Sequence, residues 1–402
     1  MNPTAPPLDL SRAGWLVCFY IAMIDGYDTL MLSFIVPLIA KDWHASAIVF
    51  GRIFAATYAG AAVGATMLGA AADRYGRKPL LLLSLAIAGT FNAASALART
   101  PEELMLLRAL CGIGLGGAIP IVSALAAAGV ASAHRRAAVT RVFIGYPIGA
   151  MLGGVVTAAI MGSAGWRNVL IGSALLTLLG IPLVLRYVTE PPIEVEPGEI
   201  GSPARRPLTE LFTHGRALRT LTVCIASCLI LLVSYFLVSW MPTVLVESGM
   251  TTRRAALVAV LLNLGGLIGG WGLATLVGPR RPSFAVAMCL MLGSLAIMGF
   301  GLGLGRSDAL SWLLVLSTGL LIIGAQINIP ALCASLYPVR VCASGVGLAM
   351  TVGRVGSIAG PLLGGYLLSV HMSWRLLFLL VAIPALVAGA SLATLKPAPA
   401  AA

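Results

Sequence analysis

Charge is nearly absent from twelve long stretches of this chain, and that absence constrains the fold more than any motif. Read as apolar runs bounded by charges, Pro and Gly, the stretches fall near 14–39, 46–72, 79–98, 102–129, 139–162 and 167–188, then 219–246, 253–277, 283–304, 309–335, 343–370 and 374–395. Crossing a bilayer takes about 20 mostly apolar residues as a helix. In lipid such a segment must satisfy its own backbone hydrogen bonds, so runs of this length form helices. Composition agrees: 59% of the 402 residues are hydrophobic and 10% charged, with mean hydropathy +0.98, whereas soluble domains carry about 25% charged residues. The sequence predicts an all-α membrane protein with twelve transmembrane helices. The lipid bilayer is its first partner, and an ordinary soluble fold is excluded.

Six runs precede a charged, proline-containing stretch and six follow it. The organisation expected is a six-helix bundle over 1–188, a solvated linker over 189–218 and a second bundle over 219–402. The halves echo each other at an offset of about 205 residues: Pro37 answers Pro242, and the basic turn before Pro79 answers Arg280 and Arg281 before Pro282. Duplicated six-helix halves are how many secondary transporters are built, with the solute site at mid-membrane. Two pseudo-symmetric bundles and transport are therefore expected. If the N-terminus is cytoplasmic, that side holds sixteen of the 26 Lys and Arg, among them Arg74, Arg77, Lys78, Arg135, Arg136, Arg205 and Arg206. The bias puts both termini and the linker inside the cell. The first run is 25 residues or so long and carries two acids, so it reads as a true span rather than a cleaved signal peptide.

The basic balance, 26 Lys plus Arg against 14 Asp plus Glu, is spread between apolar runs rather than over a soluble face, so no nucleic acid is expected. Six of the seven cysteines lie inside apolar runs with no CxxC pair or nearby His; they read as packing residues, not metal ligands. Gly112-Ile-Gly114-Leu-Gly116-Gly117 fits the dinucleotide fingerprint literally, but it follows no strand and no acid stands about 20 residues later. No Walker lysine, HExxH or GxSxG motif is present either. The expectation is a chain with no cofactor, no metal and no enzymatic activity. A monomer suffices, and the oligomeric state stays open.

Of the 14 acids only Asp25 and Asp28 sit deep within a span. Three apart, they share a helix face, and a charge at the bilayer centre costs at least about 2.5 kcal/mol. That face must look into a cavity or at a partner. A carboxyl drawn out of water holds its proton more readily, and no histidine lies mid-span, since His44, His134, His214 and His371 are all near loops. Proton coupling thus falls to Asp25 and Asp28, a structural ion pair being the alternative. Two arginines are candidates for an anionic solute. Arg354 lies deep in the eleventh run and needs a counter-ion. Arg108 lies nearer one end of the fourth, where solute binding, a charge relay to Asp25 or Asp28, gating, or snorkelling to the interface are all open. Tyr27, Tyr58, Tyr146, Tyr235 and Trp240, with Phe54 and Phe236, are candidates to stack on a ring, and Gln326, Asn328 and Asn263 to hydrogen-bond it. The paired glycines Gly60 and Gly64, Gly112 and Gly116, Gly145 and Gly149, and Gly356 and Gly360 read as close helix contacts. At the turn between runs two and three, Asp73, Arg74, Gly76 and Arg77 join an acid at a helix end to a tight turn and a basic cluster. Such a turn could brace bundle ends as a gate.

That turn, Gly69-Ala-Ala-Ala-Asp73-Arg74-Tyr75-Gly76-Arg77-Lys78, resembles the G-x-L-x-D-R-x-G-R-R/K signature of the major facilitator superfamily, with Ala71 in place of Leu. Asp25-Gly26-Tyr27-Asp28 resembles the D-G-x-D first-span motif of the superfamily's aromatic acid:H+ symporter branch. Arg108 to Pro120, Gly145-Tyr146-Pro147-Ile148-Gly149 and Ala343 to Gly365 are similar to that branch's fourth-, fifth- and eleventh-span segments. Ala128 stands where the branch often has Glu, and Cys342 where an Arg is common, with Arg340 two residues earlier. The second-half copy of the turn lacks its acid, with Ala274 and Thr275 in place of Asp-Arg. The resemblance implies the major facilitator fold and a small aromatic carboxylate, such as a hydroxybenzoate or phenylpropionate, imported with protons across a bacterial inner membrane. A proton-driven exporter of drugs or metabolites and a non-transporting solute sensor are the other readings.

Overall fold

A computed structural model describes residues 12–128, 132–189, 210–213, 216–276, 282–303, 307–337 and 339–395. Among the described residues, twelve helices are long and apolar enough to span a membrane. They are α1 (Arg12–Trp43), α2 (Ala47–Tyr75), α3 (Arg77–Ser95), α4 (Pro101–Ala127), α5 (Ala138–Ala159), α6 (Gly165–Tyr187), α7 (Ala217–Glu247), α8 (Thr252–Leu273), α9 (Ser283–Gly303), α10 (Asp308–Ile327), α11 (Ser344–Ser369) and α12 (Trp374–Ala393). Each coincides with one predicted run. No strand occurs among the described residues. They group into two compact units, one holding α1, most of α2 and α3 to α6, the other α7 to α12 with residues 46–51. Most of the predicted linker, 190–209 and 214–215, lies outside the described residues, as do Arg280 and Arg281.

The corners follow from local chemistry. Thr100 caps α4 by accepting a hydrogen bond from the Glu103 N–H at 3.2 Å, with Pro101 first in the helix and Glu102 and Glu103 in its positive first turn. Ser307 caps α10 in the same way through the Leu310 N–H at 3.1 Å. Between α2 and α3 the chain reverses at Gly76, whose φ of 100° only glycine adopts without strain. His44 and His371, with φ of 49° and 52°, occupy turns just beyond α1 and α11, in keeping with their predicted place near loops.

Small residues decide which helices touch. In the first unit α1 packs on α5, α2 on α4, and α3 on both α4 and α6. In the second, α7 packs on α11, α8 on α10 and α9 on α12. The paired glycines lie in these seams, as predicted. Gly60 and Gly64 face the Ala109 and Ile113 carbonyls of α4, while Gly112 and Gly116 return the contact against Thr57 and Ala61 of α2. Between apolar helices in an apolar medium, association relies on such close approach, because lipid supplies no hydrophobic drive.

Two spans depart from the predicted continuous runs. The run expected over 309–335 contains a π-helical turn at Gly319–Ile323 and breaks at Asn328, after which a short helix continues over Ile329–Leu336. Pro330 has no N–H to offer the preceding turn. Asn328 satisfies the break by donating its side-chain amide to the Gly324 carbonyl at 2.9 Å and the Gly270 carbonyl at 3.0 Å. The fifth span is interrupted by a single turn residue at Ile144.

A Cβ at Gly64 would overlap the Ile113 carbonyl, whereas nothing lies within 4 Å of one at Gly172 in α6. Gly64→Ala is therefore expected to cost about 1–3 kcal/mol by overpacking. Gly172→Ala is expected to be neutral or stabilising by up to about 1 kcal/mol from helix propensity. Thermal unfolding of the two purified variants in detergent checks the contrast.

Candidate functional site

Asp28 lies at the midpoint of α1, about 24 Å along a helix about 48 Å long at 1.5 Å per residue. It has no exposure to solvent. Its carboxylate accepts hydrogen bonds from three side chains on two further helices. The Asn92 amide of α3 donates to Oδ1 at 2.7 Å, the Ser173 hydroxyl of α6 donates to the same oxygen, and the Thr177 hydroxyl donates to Oδ2 at 2.8 Å. Arg108 of α4, also fully enclosed, donates from Nη1 to Asn92 Oδ1 at 2.9 Å and from Nη2 to the Asp28 main-chain carbonyl at 3.4 Å. Its Nε has no partner among the described residues. The carboxylate and the guanidinium form no direct ion pair. One amide side chain, Asn92, spans them and is polarised from both ends.

This arrangement bears on several predicted roles. Arg108 does not snorkel: it is fully buried and tied to Asp28 through Asn92. Asp25 is 7% exposed and Tyr27 5%, both on the same helix as Asp28. Tyr58 of α2 is buried and Tyr146 of α5 half-buried in the same unit. Gly26, within the predicted motif, has a packing task of its own, since a Cβ there would collide with the Tyr146 carbonyl. Asn92, Ser173 and Thr177 were not singled out from the sequence. The available signal was that Asn92 is the one amide side chain in α3, and that Ser173 and Thr177 form a polar pair one turn apart in the apolar α6.

The second unit holds the other candidates. Arg354 of α11 is half-buried, and its guanidinium has neither hydrogen-bond nor ion-pair partner among the described residues. Tyr235 of α7 and Gln326 of α10 are half-buried. Trp240 is fully buried, and its indole N–H is taken by the Pro361 carbonyl at 3.0 Å. Both amide hydrogens of Asn328 are spent on the break in α10. Trp240 and Asn328 therefore have no free N–H with which to hold a solute, although each keeps a place in the packing. Gln326 and Asn328 both follow the π-helical turn, a feature that recurs at functional positions in helices.

The α2–α3 turn is built for support within its own bundle. Arg77 donates to the Ala124 carbonyl at the end of α4 at 3.2 Å, and Lys78 to the Leu185 carbonyl near the end of α6 at 3.1 Å. Both place positive charge at negative helix ends. Asp73 and Arg74 are exposed, and Arg74 lies 5.4 Å over the Tyr75 ring. Asp73 has no ion pair among the described residues. An open cleft of about 740 Å³ lies at the far end of α1, lined by Lys41, Asp42, His44, Trp166 and Arg167 among others. Ten or more residues of α1 separate it from Asp28, and its charges answer each other. Arg167 pairs with Asp42 at 3.6 Å and covers the Trp166 ring at 4.1 Å. Exposed pairs of this kind contribute about 0–1 kcal/mol and do not mark the functional centre.

Comparison with known proteins agrees with the helix arrangement. Residues 18–361 match the family model of the Major Facilitator Superfamily. The chain is 32% identical to a gallate transporter of Pseudomonas putida, covering 93% of this chain and 90% of that one. It is 34% identical to a 3-(3-hydroxy-phenyl)propionate transporter of Escherichia coli K12, covering 88% and 86%. Among solved structures, that of a D-xylose-proton symporter matches with a TM-score of 0.78 at 15% identity, over 96% of this chain and 98% of that one, and shows the shared fold. These likenesses place the chain among membrane transporters rather than enzymes. It belongs to the major facilitator superfamily and resembles that superfamily's aromatic acid:H+ symporter branch.

Proposed function

We propose that this protein imports a small aromatic carboxylate together with protons across a bacterial inner membrane, its termini and central linker facing the cytoplasm. One observation carries the proton side of this reading: Asp28 is sealed from water at mid-helix among three hydrogen-bond donors, one amide away from Arg108. A permanently charged carboxylate in that position is expensive, and one that gains and loses a proton is useful. Asp25, one turn away on α1, is the second carboxyl able to take part. Names of relatives supply the solute class. Gallate and hydroxyphenylpropionate each present a carboxylate on an aromatic body, and Arg354, half-buried along α11 with no guanidinium partner among the described residues, is suited to the first. Tyr235, Tyr27, Tyr58 and Tyr146 are the rings available for the second, with Gln326 as a hydrogen-bond donor. The α2–α3 turn serves as a brace whose Arg77 and Lys78 keep the ends of α3, α4 and α6 together while the carrier changes state.

Coupling to protons supplies enough free energy for accumulation. A gradient of one pH unit is worth about 1.4 kcal/mol, a tenfold ratio, and 100 mV is worth about 2.3 kcal/mol per net charge. A monoanion entering with one proton gains only the first.

Reconstituted in proteoliposomes under an inward proton gradient, the protein is expected to accumulate labelled benzoates, hydroxybenzoates or phenylpropionates in preference to aliphatic acids. Equal uptake with and without the gradient would remove the proton coupling, and accumulation of no aromatic acid would remove the solute class. Asp28→Asn keeps the shape but holds no exchangeable acid proton, so the about tenfold accumulation per pH unit should vanish at normal expression. Arg354→Ala is expected to raise KM about tenfold to a hundredfold, the worth of a hydrogen bond to a charged group at about 1.5–3 kcal/mol. Arg354→Lys should recover only part of that loss, because an ammonium lacks the bidentate fork.

A further inference from the structure

We propose that the Thr177 hydroxyl is a rotor that holds Asp28 in both of its protonation states, and that the proton carried by Asp28 sits on Oδ2. This inference rests on Asp28 being a proton carrier, as set out above, and it names the atom and the group that make the exchange possible.

The case is a count of hydrogens. A threonine hydroxyl has one hydrogen and two lone pairs. Thr177 Oγ1 lies 2.8 Å from Asp28 Oδ2 and 3.1 Å from the Ser173 main-chain carbonyl, so two acceptors compete for that single hydrogen. With Asp28 ionised, the hydroxyl donates to Oδ2. With Asp28 neutral, the carboxyl O–H donates to Thr177 Oγ1, and the threonine hydrogen turns to the Ser173 carbonyl. Neither state leaves the carboxyl O–H or the Thr177 hydroxyl hydrogen without an acceptor. The other carboxylate oxygen lacks this freedom. Oδ1 is met by the Asn92 amide nitrogen, which cannot accept, and Arg108 fixes which way that amide faces by donating to its oxygen. Oδ1 is also met by the Ser173 hydroxyl, which has no second acceptor among the described residues. Oδ1 is thus held as an acceptor and Oδ2 is the oxygen free to be protonated.

The charged and titratable groups acting around Asp28 are Arg108 and Cys111 on α4, and Asp25, Tyr20 and Tyr27 on α1. The groups that α3 and α6 bring to the carboxylate, Asn92, Ser173 and Thr177, are uncharged. None of the charged groups donates to Oδ2, so its exchange is governed by Thr177. Loading forms one O–H bond at Oδ2 with a proton taken from water, and unloading breaks that bond and returns the proton to water. At the carboxyl itself, the switch between the two hydrogen-bond patterns asks only a hydroxyl to turn, a motion of picoseconds to nanoseconds.

Thr177→Val removes the hydroxyl with little change of shape, and Thr177→Ser keeps it. Under an inward proton gradient in proteoliposomes, the valine variant is expected to lose at least about tenfold of its accumulation and the serine variant no more than about threefold. Infrared difference spectra separate this from a structural defect. The band of a protonated carboxyl, assigned by its disappearance in Asp28→Asn, should keep its frequency in Thr177→Ser and move to higher frequency in Thr177→Val, where the carboxyl O–H has no acceptor. Should the valine variant fail to reach the membrane, Thr177→Cys, a weaker donor and acceptor, gives an intermediate loss and shift. An unchanged band and full accumulation in Thr177→Val, or equal losses in the serine and valine variants, overturn the rotor. If Asp28→Asn itself accumulates normally, the carrier role of Asp28 falls first. An inert Asp28→Asn beside a normal Thr177→Val sinks the rotor alone.

Discussion

A carboxylate with no water around it and three donors aimed at it ties four helices together at one point. Asp28 on α1 is bonded to Asn92 on α3 and to Ser173 and Thr177 on α6, while Arg108 on α4 reaches both Asn92 and the Asp28 main chain. In an apolar medium an unmet donor or charge costs several kcal/mol, so each of these groups restrains the others. The cluster also depends on how closely the helices pass. Gly114 lets α4 come against Ser84 and Ala88 of α3, and Gly89 admits Leu178 of α6 against α3. Without those small residues the hydrogen bonds would lengthen beyond use. Packing and polar chemistry in this unit are therefore two aspects of one arrangement: glycines set the distance, and side chains spend it.

The interposition of Asn92 has an electrostatic meaning. A direct Asp–Arg pair in a medium of low dielectric constant is difficult to separate, and breaking a buried pair leaves an uncompensated charge. Here an amide stands between them, donating to one and accepting from the other. It transmits polarisation while keeping the two charges from contact. For the proton exchange proposed at Asp28, such a spacer serves better than a permanent partner.

Much of this was legible in the sequence, and the reason is the solvent. Lipid forbids exposed backbone, so every long apolar run had to become a helix and the count of twelve followed. Asp25 and Asp28 stood out because acids are rare inside spans, and the glycine pairs because small residues four apart form a flat face. What could not be read was partnership across helices. Serine and threonine inside a helix usually bond back to the preceding turn, as Thr57 does to Ile53 here, so nothing in their type distinguished Ser173 and Thr177. Arg108 sits only eight residues into α4, a depth compatible with reaching the interface. Its inward turn is decided by Asn92 and Asp28, which lie 16 and 80 positions away in the chain. The break in α10 was hidden because Gly324, Asn328 and Pro330 lie in an otherwise apolar stretch, and only the backbone carbonyls of Gly270 and Gly324 show what Asn328 is for.

The two halves share their packing but not their charges. Helix pairs α1–α5, α2–α4 and α3–α6 in one unit are repeated as α7–α11, α8–α10 and α9–α12 in the other. Matching helix contacts put the offset at 205 residues for α1 and α2 and 207 for α4 and α5, so Asp25, Asp28 and Arg108 correspond to Ile230, Val233 and Val315, and Arg354 corresponds to Pro147. Every ionisable group proposed to act on the proton or the solute thus has an apolar counterpart at the same register of the other half. A seam held by backbone approach between small residues does not depend on the identity of side chains pointing elsewhere. Such a scaffold tolerates an acid in one copy and an aliphatic side chain in the other without losing its geometry. That tolerance lets a duplicated bundle hold a buried carboxylate in its first half and the half-buried Arg354 in its second, while the helix pairings of both stay the same.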